Sequence, residues 1–375
     1  MNYKNLDIST PALLIDKSNL LDNMKIMSNY AKKNKINLRP HTKSHKTSKI
    51  AKMQIKNGAV GICVATLYEA EIMSKNNIKG ILLTSPITNK SNKFRIKKLL
   101  NSSSDVMLVI DSLYGINFYA NIASEHNIKI NILIDCDIMG IGKNKIIRTG
   151  VKNIKEIIKL ASRINNNKNL IYKGITAYAG DIQHINNYNS RKIETSSRHR
   201  YLKSIIEQLN KKNLKPIIVS GGGTGSFDID TSSKLFTELQ TGSYIFNDVE
   251  YDNVNIYESN KKPFKSSLFV ASSVISIIDN NNYIIDAGLK ALSTDSKLLP
   301  KPLGSLPSGT KYKFMGDEHG KITIPKKSNK KLKCGEIIII QPSHCDPTVN
   351  LYNKCYLINK GKVSNYLEVD ARGYY

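Results

Sequence analysis

From about residue 10 to about residue 250, short apolar segments alternate with longer amphipathic segments. Segments such as DVMLVID and INILIDCD are apolar throughout, which is typical of strands buried on both faces of a sheet. Strand and helix alternating every ~25–35 residues predict parallel βα units. Seven clear strands follow from INLRPH onward, and GSYIF at 242–246 is a candidate eighth. This number favours an α/β fold with a closed, TIM-type (β/α)8 barrel over an open sheet.

The pattern changes after about residue 255. LFVASSVISIID, NYIIDAG, KITIP and EIIIIQPSH are predicted strands without long helices between them. We therefore predict two domains. The barrel spans residues 16–252, and residues 1–15 together with 253–375 form a β-rich domain.

The chain is strongly basic, with 56 Lys+Arg against 30 Asp+Glu and a net charge of +26. The lysines are spread along the whole chain among asparagine and isoleucine rather than gathered in a patch, so we expect no specific nucleic-acid binding. The charge favours anionic small molecules such as phosphates and carboxylates.

The sequence gives no sign of membrane attachment or export. No run of ~18 apolar residues is present, so we expect no membrane span. The first residues, MNYKNLDIST, lack the apolar segment of a signal peptide. The five cysteines form no CxxC motif, which favours reduced thiols in a cytoplasmic protein.

Functional side chains of a barrel lie at the C-terminal ends of its strands. The strongest local signal there is SGGGTGS at 220–226, because glycines after a strand let backbone N–H groups approach an anion. Thr224 adds a hydroxyl, and TGSY supplies Gly242 and Ser243. The segment lacks the GK[ST] ending of a Walker A loop. We predict that these two loops bind a phosphate; the alternative is a flexible glycine turn.

Lys43 lies just past a predicted strand end, in LRPHTKSHK. A lysine in a barrel mouth that also holds a phosphate site suggests a Schiff base with pyridoxal phosphate. In so lysine-rich a chain, the alternative is a solvated surface lysine. Arg39, His41 and His45 of the same segment are candidates to shape the charge of Lys43.

His344 and Asp346 stand two positions apart in PSHCDPTVN. On an extended segment their side chains would point the same way, with Cys345 facing the other side. Such a pair offers nitrogen and oxygen ligands to a divalent cation and leaves open positions for water and substrate. The alternative is a polar loop.

Together these segments resemble those of the D-threonine aldolases. With the D-serine dehydratases, that family belongs to the alanine-racemase-like, fold-type III pyridoxal-phosphate enzymes. The resemblance runs in order from about residue 8 to the C-terminus. The motifs that carry it are TPALLID, LRPHTKSHK, GAVGICVATLYEAE, AYAGDIQH, SGGGTGS, TELQTGSYIF, DAGLKALSTD, GDEHG and PSHCDPTVN.

The resemblance implies a homodimer whose active site lies between barrel and β domain and is partly lined by the neighbouring subunit. It implies that Lys43 holds the cofactor, with Lys46 as its rival, and that His184 is a base. It implies a metal on His344 and Asp346.

For the remaining cofactor contacts, the resemblance puts Arg148 near the pyridine face or phenolic oxygen. The other cofactor-binding residues that it implies are Tyr178, Gly223, Thr224, Gly242, Ser243 and Tyr244. The sequence departs from the family in two places. Ala179 stands where the family often has histidine, and the segment 134–151, which contains Arg148, is longer than the usual link.

The metal motif bears on the reaction. The pair is H-x-D rather than the H-x-C typical of the dehydratases, which suits a harder ion such as manganese or magnesium, with zinc as a further possibility. We therefore expect an aldolase that cleaves D-threonine and related D-β-hydroxy-α-amino acids to glycine and an aldehyde. The alternatives are a dehydratase of D-serine or D-3-hydroxyaspartate, and a non-catalytic pyridoxal-phosphate-binding protein.

Overall fold

A computed structural model of the protein describes residues 6–102, 105–140 and 148–373. Its strands form two sheets, one of eight and one of nine strands. The first strand, β1 (Ala12–Asp16), belongs to the nine-stranded sheet and leads directly into helix α1 (Lys17–Lys33) of the barrel.

The eight-stranded sheet is parallel throughout and curls into the predicted barrel. A parallel bridge between His41 and Cys63 joins the chain segments at its two ends. The strands are β2 (Asn37–Leu38), β3 (Ile62–Val64), β4 (Ile81–Leu83), β5 (Met107–Ile110), β6 (Ile130–Asp135), β7 (Leu170–Ala177), β8 (Ile218–Gly221) and β9 (Glu238–Leu239).

Amphipathic helices follow the barrel strands. In α6 (Ile154–Asn165), for example, Ile157, Leu160, Ala161 and Ile164 are buried, which is one face of the helix. The others are α2 (Ser48–Lys56), α3 (Leu67–Lys75), α4 (Lys93–Ser102), α5 (Leu113–Glu125), α7 (Tyr188–Lys211), α8 (Phe227–Ser233) and α9 (Val249–Asp252). None of the helices in the described ranges is both long and apolar enough to cross a membrane.

The prediction of GSYIF as the eighth strand is wrong. The eighth strand is β9, and the following Ser243–Ile245 is a 3-10 helix, because the N–H of Phe246 bonds back to the carbonyl of Ser243 at 3.0 Å. Because β9 contains the charged residue Glu238, it lacks the continuous apolar sequence that predicts a buried strand. Both carboxylate oxygens of Glu238 accept hydrogen bonds from the Arg39 guanidinium inside the barrel, at 2.8 and 2.9 Å.

The second sheet is mixed and mostly antiparallel, and β1 lies within it, antiparallel to one neighbour and parallel to the other. All four predicted strands of this domain form. The remaining strands are β10 (Leu268–Ile277), β11 (Asn282–Ile285), β12 (Lys301–Leu303), β13 (Lys311–Phe314), β14 (Gly320–Thr323), β15 (Ile337–Gln341), β16 (Lys354–Asn359) and β17 (Lys362–Glu368).

One short helix, α10 (Cys345–Asn350), follows β15 and carries part of the predicted metal motif. The predicted domain division places its boundaries at residues 15 and 252. In the structure α1 begins at Lys17 and α9 ends at Asp252. Residues 1–5 of the predicted β domain lie outside the described residues.

Candidate active site

A cavity of about 510 Å³ opens at the C-terminal ends of the barrel strands, where residues of the second domain close one side. Of the catalytic, cofactor-binding and metal-binding residues that the resemblance implies, all but Tyr244 line this cavity. The Tyr244 ring is buried in the core, where its hydroxyl accepts a hydrogen bond from Gln54 at 3.1 Å. The Tyr244 side chain therefore does not face the cavity, and cofactor binding by Tyr244 stays a prediction.

Lys43 enters the cavity from a 3-10 helix, Thr42–Ser44, that follows β2. His41 caps this turn, since its Nδ1 accepts the N–H of Lys43 at 3.3 Å. The Lys43 amino group lies 3.2 Å from the Asp346 carboxylate, and this charge raises the pKa of Lys43, although the partial burial of the amine opposes the effect. The lysine of the barrel and the predicted metal ligand of the second domain are thus direct neighbours.

Lys46, the rival lysine, has a different environment. It is buried and forms an ion pair with Glu69, whose second oxygen accepts the N–H of Ala65 at 2.7 Å. Lys46 does not line the cavity. The geometry therefore favours Lys43 as the cofactor lysine.

The three residues that are candidates to shape the charge of Lys43 differ in whether they line the cavity. Arg39 is paired with Glu238, and the His45 ring bonds to Gln54 at 3.3 Å, so both lie outside the cavity lining. His41 alone of the three lines the cavity. Burial, reinforced by the positive charge of Lys43, lowers the pKa of His41 and keeps its ring neutral.

The two predicted phosphate loops come together on the cavity wall. The hydroxyl of Thr224 accepts the N–H of Tyr244 at 3.0 Å, which ties the first loop to the second. A Cβ atom on Gly242 would lie 3.0 Å from the His41 carbonyl oxygen, so a side chain here would require the neighbouring backbone to move. Glycine backbones, two hydroxyls and a lysine in one cavity fit the phosphate and aldehyde of pyridoxal phosphate.

Arg148 also lines the cavity, with its guanidinium 5.7 Å from the centre of the Tyr178 ring. Asp135, at the end of β6, holds this segment in place. Its carboxylate accepts hydrogen bonds from the hydroxyls of Thr149 and Thr176, each at 2.8 Å. Much of the predicted insertion before Arg148, residues 141–147, lies outside the described residues.

His344 and Asp346 face the cavity together, but the expected extended conformation is wrong. His344 is the N-terminal cap of α10, and Asp346 lies in the first turn of that helix. The Nε2 of His344 and the Oδ2 of Asp346 are 4.0 Å apart. Cys345 points elsewhere; its buried thiol donates to the second oxygen of Asp346 at 3.2 Å.

This pair fits a divalent cation. Its separation is within twice the ~2.0–2.2 Å bond length of nitrogen and oxygen ligands to such an ion. Burial raises the pKa of Asp346, but Lys43 and His344 outweigh it and hold that pKa at about 2, so the carboxylate is charged. No group of three or more His, Cys, Asp or Glu side chains is placed to hold a metal ion in the described ranges. An ion bound by the predicted pair would keep positions for water and substrate.

Two carboxylates that the sequence analysis missed contact the histidines of the site. The Nδ1 of His344 lies 2.6 Å from Asp295, an arrangement that orients the ring so that Nε2 faces the cavity. The Nε2 of His184 lies 3.4 Å from Glu250. Asp295 stands in DAGLKALSTD, one of the segments that carry the resemblance, and its presence there is the only sequence signal for it.

His184 lies between the two domains. Its ring centre is 4.7 Å from that of Tyr251 and 6.4 Å from that of His344. Burial lowers the pKa of His184, although Glu250 opposes this. A neutral imidazole beside the predicted metal pair can accept a proton from a substrate hydroxyl.

Comparison with known proteins agrees with this architecture. Residues 15–249 match the alanine racemase N-terminal domain, and residues 267–358 match a putative serine dehydratase domain. The 3-hydroxy-D-aspartate aldolase of Paracoccus denitrificans (strain Pd 1222) is 32% identical over 98% of this chain and 93% of its own. The D-threonine aldolase of Arthrobacter sp is 29% identical over the same shares.

Among solved structures, the D-threonine aldolase from Filomicrobium marinum superimposes with a TM-score of 0.91 at 30% identity, over 98% of this chain and 96% of that one. The D-threo-3-hydroxyaspartate dehydratase from Delftia sp. HT23 shares the fold, with a TM-score of 0.85 at 21% identity over the whole of both chains. This chain therefore belongs to the alanine-racemase-like, fold-type III pyridoxal-phosphate enzymes. In this chain, an alanine-racemase barrel is joined to a serine-dehydratase-like domain.

Proposed function

We propose that the protein is an aldolase, dependent on pyridoxal phosphate and a divalent metal, that cleaves D-β-hydroxy-α-amino acids such as D-threonine to glycine and an aldehyde. The observation that carries this proposal is the 3.2 Å contact between Lys43 and Asp346. It places the amine for the cofactor beside a ligand for the metal, so that the α-nitrogen and the β-oxygen of one substrate, which are carried by neighbouring carbons, can be held at the same time.

When bound, pyridoxal phosphate is an electron sink for the charge left on the α-carbon, and the metal lowers the pKa of the β-hydroxyl. The residues that would hold these groups are Lys43, Arg148, Tyr178, Gly223, Thr224, Gly242 and Ser243 for the cofactor, and His344 and Asp346 for the metal.

Residues of the chain itself then transfer the protons of the reaction. His184 accepts the β-hydroxyl proton, because burial lowers its pKa and keeps its ring neutral. The electron pair of that O–H bond forms the carbonyl of the aldehyde as the Cα–Cβ bond breaks. Protonation of the α-carbon gives glycine. Glu250, 3.4 Å from His184, stabilises the imidazolium that results.

Manganese or magnesium is the ion we propose, since a carboxylate oxygen and an imidazole leave room for water ligands, and zinc is the next candidate.

We propose a cytoplasmic location, supported by the five cysteines, all of which are free. The Paracoccus relative makes 3-hydroxy-D-aspartate a candidate substrate beside D-threonine.

The test is product analysis with purified protein, pyridoxal phosphate and Mn²⁺. We expect D-threonine to give glycine and acetaldehyde, and 3-hydroxy-D-aspartate to give glycine and glyoxylate. Both reactions should stop with EDTA or with Asp346→Ala. The matched control, Glu207→Ala, removes a carboxylate of α7 that is 55% exposed and lies in none of the segments that carry the resemblance, so it should change nothing.

Two results would contradict the proposal. Release of ammonia with 2-oxobutanoate or oxaloacetate would identify a dehydratase. Cofactor binding that is insensitive to EDTA, without turnover of any D-amino acid, would support the non-catalytic alternative.

A further inference from the structure

We infer that Gln183 is a positioning residue that joins the phosphate loop, residues 222–226, to the segment that carries His184. The inference rests on the proposed function for the role of His184. The connection itself consists of hydrogen bonds that the structure contains.

The side chain of Gln183 is buried, and both ends of its amide are used. Its Nε2 donates to the carbonyl of Ala179 and to the hydroxyl of Ser226, each at 2.9 Å. Its Oε1 accepts the N–H of Gly225, also at 2.9 Å. A rotated amide would set N–H against N–H at Gly225, so the network allows one orientation only.

The glycines of SGGGTGS fit this connection. A Cβ atom on Gly223 would overlap the Gln183 amide, and one on Gly225 would overlap the Gln183 carbonyl oxygen. Two glycines of the loop are therefore required for close approach to Gln183, in addition to any contact with an anion. Gly223 and Gln183 both line the cavity.

Behind Gln183 the network continues into the helices. The Ser226 hydroxyl accepts the N–H of Gly223 at 3.4 Å and donates to Asp230. The other oxygen of Asp230 bonds to His199 of α7 at 2.8 Å. Ser226, Asp230 and His199 are all buried, so a continuous chain of buried hydrogen bonds holds the phosphate loop in place.

Gln183 precedes His184 directly. The side chain that holds the phosphate loop therefore belongs to the same backbone segment that places the proposed base. The phosphate loop and His184 are therefore linked through one residue, and the link needs no contact between His184 and a bound phosphate.

The test compares pyridoxal phosphate with pyridoxal, which lacks the phosphate but keeps the aldehyde. In Gln183→Ala the buried N–H of Gly225 loses its acceptor, so we expect about tenfold weaker binding of pyridoxal phosphate, with pyridoxal affinity changed by less than about twofold. The near-isosteric Gln183→Glu keeps an acceptor for Gly225 but puts a carboxylate oxygen where Nε2 donated to the carbonyl of Ala179 and the hydroxyl of Ser226, so its effect should have the same direction. Both affinities are measured by absorbance titration of the cofactor-free protein.

Two controls separate positioning from general damage. Gln341→Ala removes another buried amide, whose Nε2 has three acceptors within hydrogen-bond distance, none of them in the cavity lining, and should leave the ratio of the two affinities unchanged. Mn²⁺ affinity should stay within about twofold in the Gln183 variants, because His344 and Asp346 lie on another element.

An unchanged ratio in both Gln183 variants, or an equal loss for both ligands, would overturn the inference. If Gln183→Ala does not fold, the result with Gln183→Glu decides. No amino-acid substrate is used, so failure of the protein to cleave D-threonine would reject the proposed function and leave this result standing.

Discussion

Lys43 and Lys46 stand three positions apart in one motif, and only their partners distinguish them. Lys43 faces Asp346 across the cavity, with 41% of its side chain exposed. Lys46 is inside the protein against Glu69, whose side chain is fully buried. A solvent-accessible amine can meet a cofactor aldehyde, whereas a buried amine that neutralises a buried carboxylate cannot leave it without cost.

Substituting each lysine in turn should separate these roles. Lys46→Ala leaves Glu69 buried without its cation, so the free energy of unfolding should fall by roughly 3–5 kcal/mol in chemical denaturation. Lys43→Ala should remain folded but lose the cofactor adduct that borohydride fixes in the unaltered protein. Peptide mass spectrometry locates that adduct, and an adduct on Lys46 would contradict our assignment.

At the scale of elements, Asp248 connects the two domains beside the metal pair. One of its oxygens accepts the N–H of Tyr251 in α9 at 3.1 Å, and the other accepts the N–H of Cys345 in α10 at 2.7 Å. One buried carboxylate thus caps a helix of the barrel and a helix of the second domain. The position of α10, and with it of His344 and Asp346, depends on this link.

Asp248→Ala removes both caps, and we expect a loss of about 1–4 kcal/mol in unfolding free energy, at ~0.5–2 kcal/mol for each cap. Mn²⁺ affinity should fall as well, because the start of α10 is no longer fixed. Asp16→Ala is the matched control. It removes the cap of α1, where Asp16 accepts the N–H of Asn19 at 2.8 Å, and should lower stability without changing Mn²⁺ affinity. Equal Mn²⁺ affinities in the two variants would disprove the link.

At the scale of the whole molecule, the chain presents three apolar side chains at one end of its second domain. Ile275, Ile277 and Ile278, at the end of β10, are 45%, 48% and 61% exposed. Exposed apolar side chains at the end of a strand are surface that a contact between subunits would bury. The homodimer implied by the family resemblance stays a prediction.

We therefore expect light scattering to give a mass of twice the 42.0 kDa of one chain. Dilution should favour the monomer and lower activity per subunit, since the resemblance implies that each site is completed by its neighbour. A mass of 42.0 kDa with full activity would contradict the proposed dimer.

How far the sequence predicted the structure depends on the range of the contacts. Barrel geometry brings strand ends together, so Lys43, Tyr178 and Thr224 could be placed in one site from the strand pattern alone. Asp295 and Glu250 could not, because each meets its histidine through a fold that strand counting does not specify. Strand β9 was not predicted for a similar reason. A charged residue such as Glu238 is typical of a loop, and only the fold brings Arg39 close enough to pair with it.

The second domain was predicted only where its strands are strongly apolar, as in β10 and β15. Strands such as β17, KVSNYLE, expose most of their side chains and lack that signal. The helical start of α10 was also missed. His344 and Cys345 follow an apolar strand. The helix begins at Cys345, whose N–H donates a hydrogen bond to Asp248, a residue distant in the sequence.

The place of β1 has a consequence for synthesis on the ribosome. This strand, near the start of the chain, pairs with β10 and β16, and β16 lies close to the end of the chain. The barrel segments emerge between these partners and can fold first. Strand β1 thus lacks one of its two neighbours until β16 has been translated, and the site between the domains is completed only after α10 has been translated.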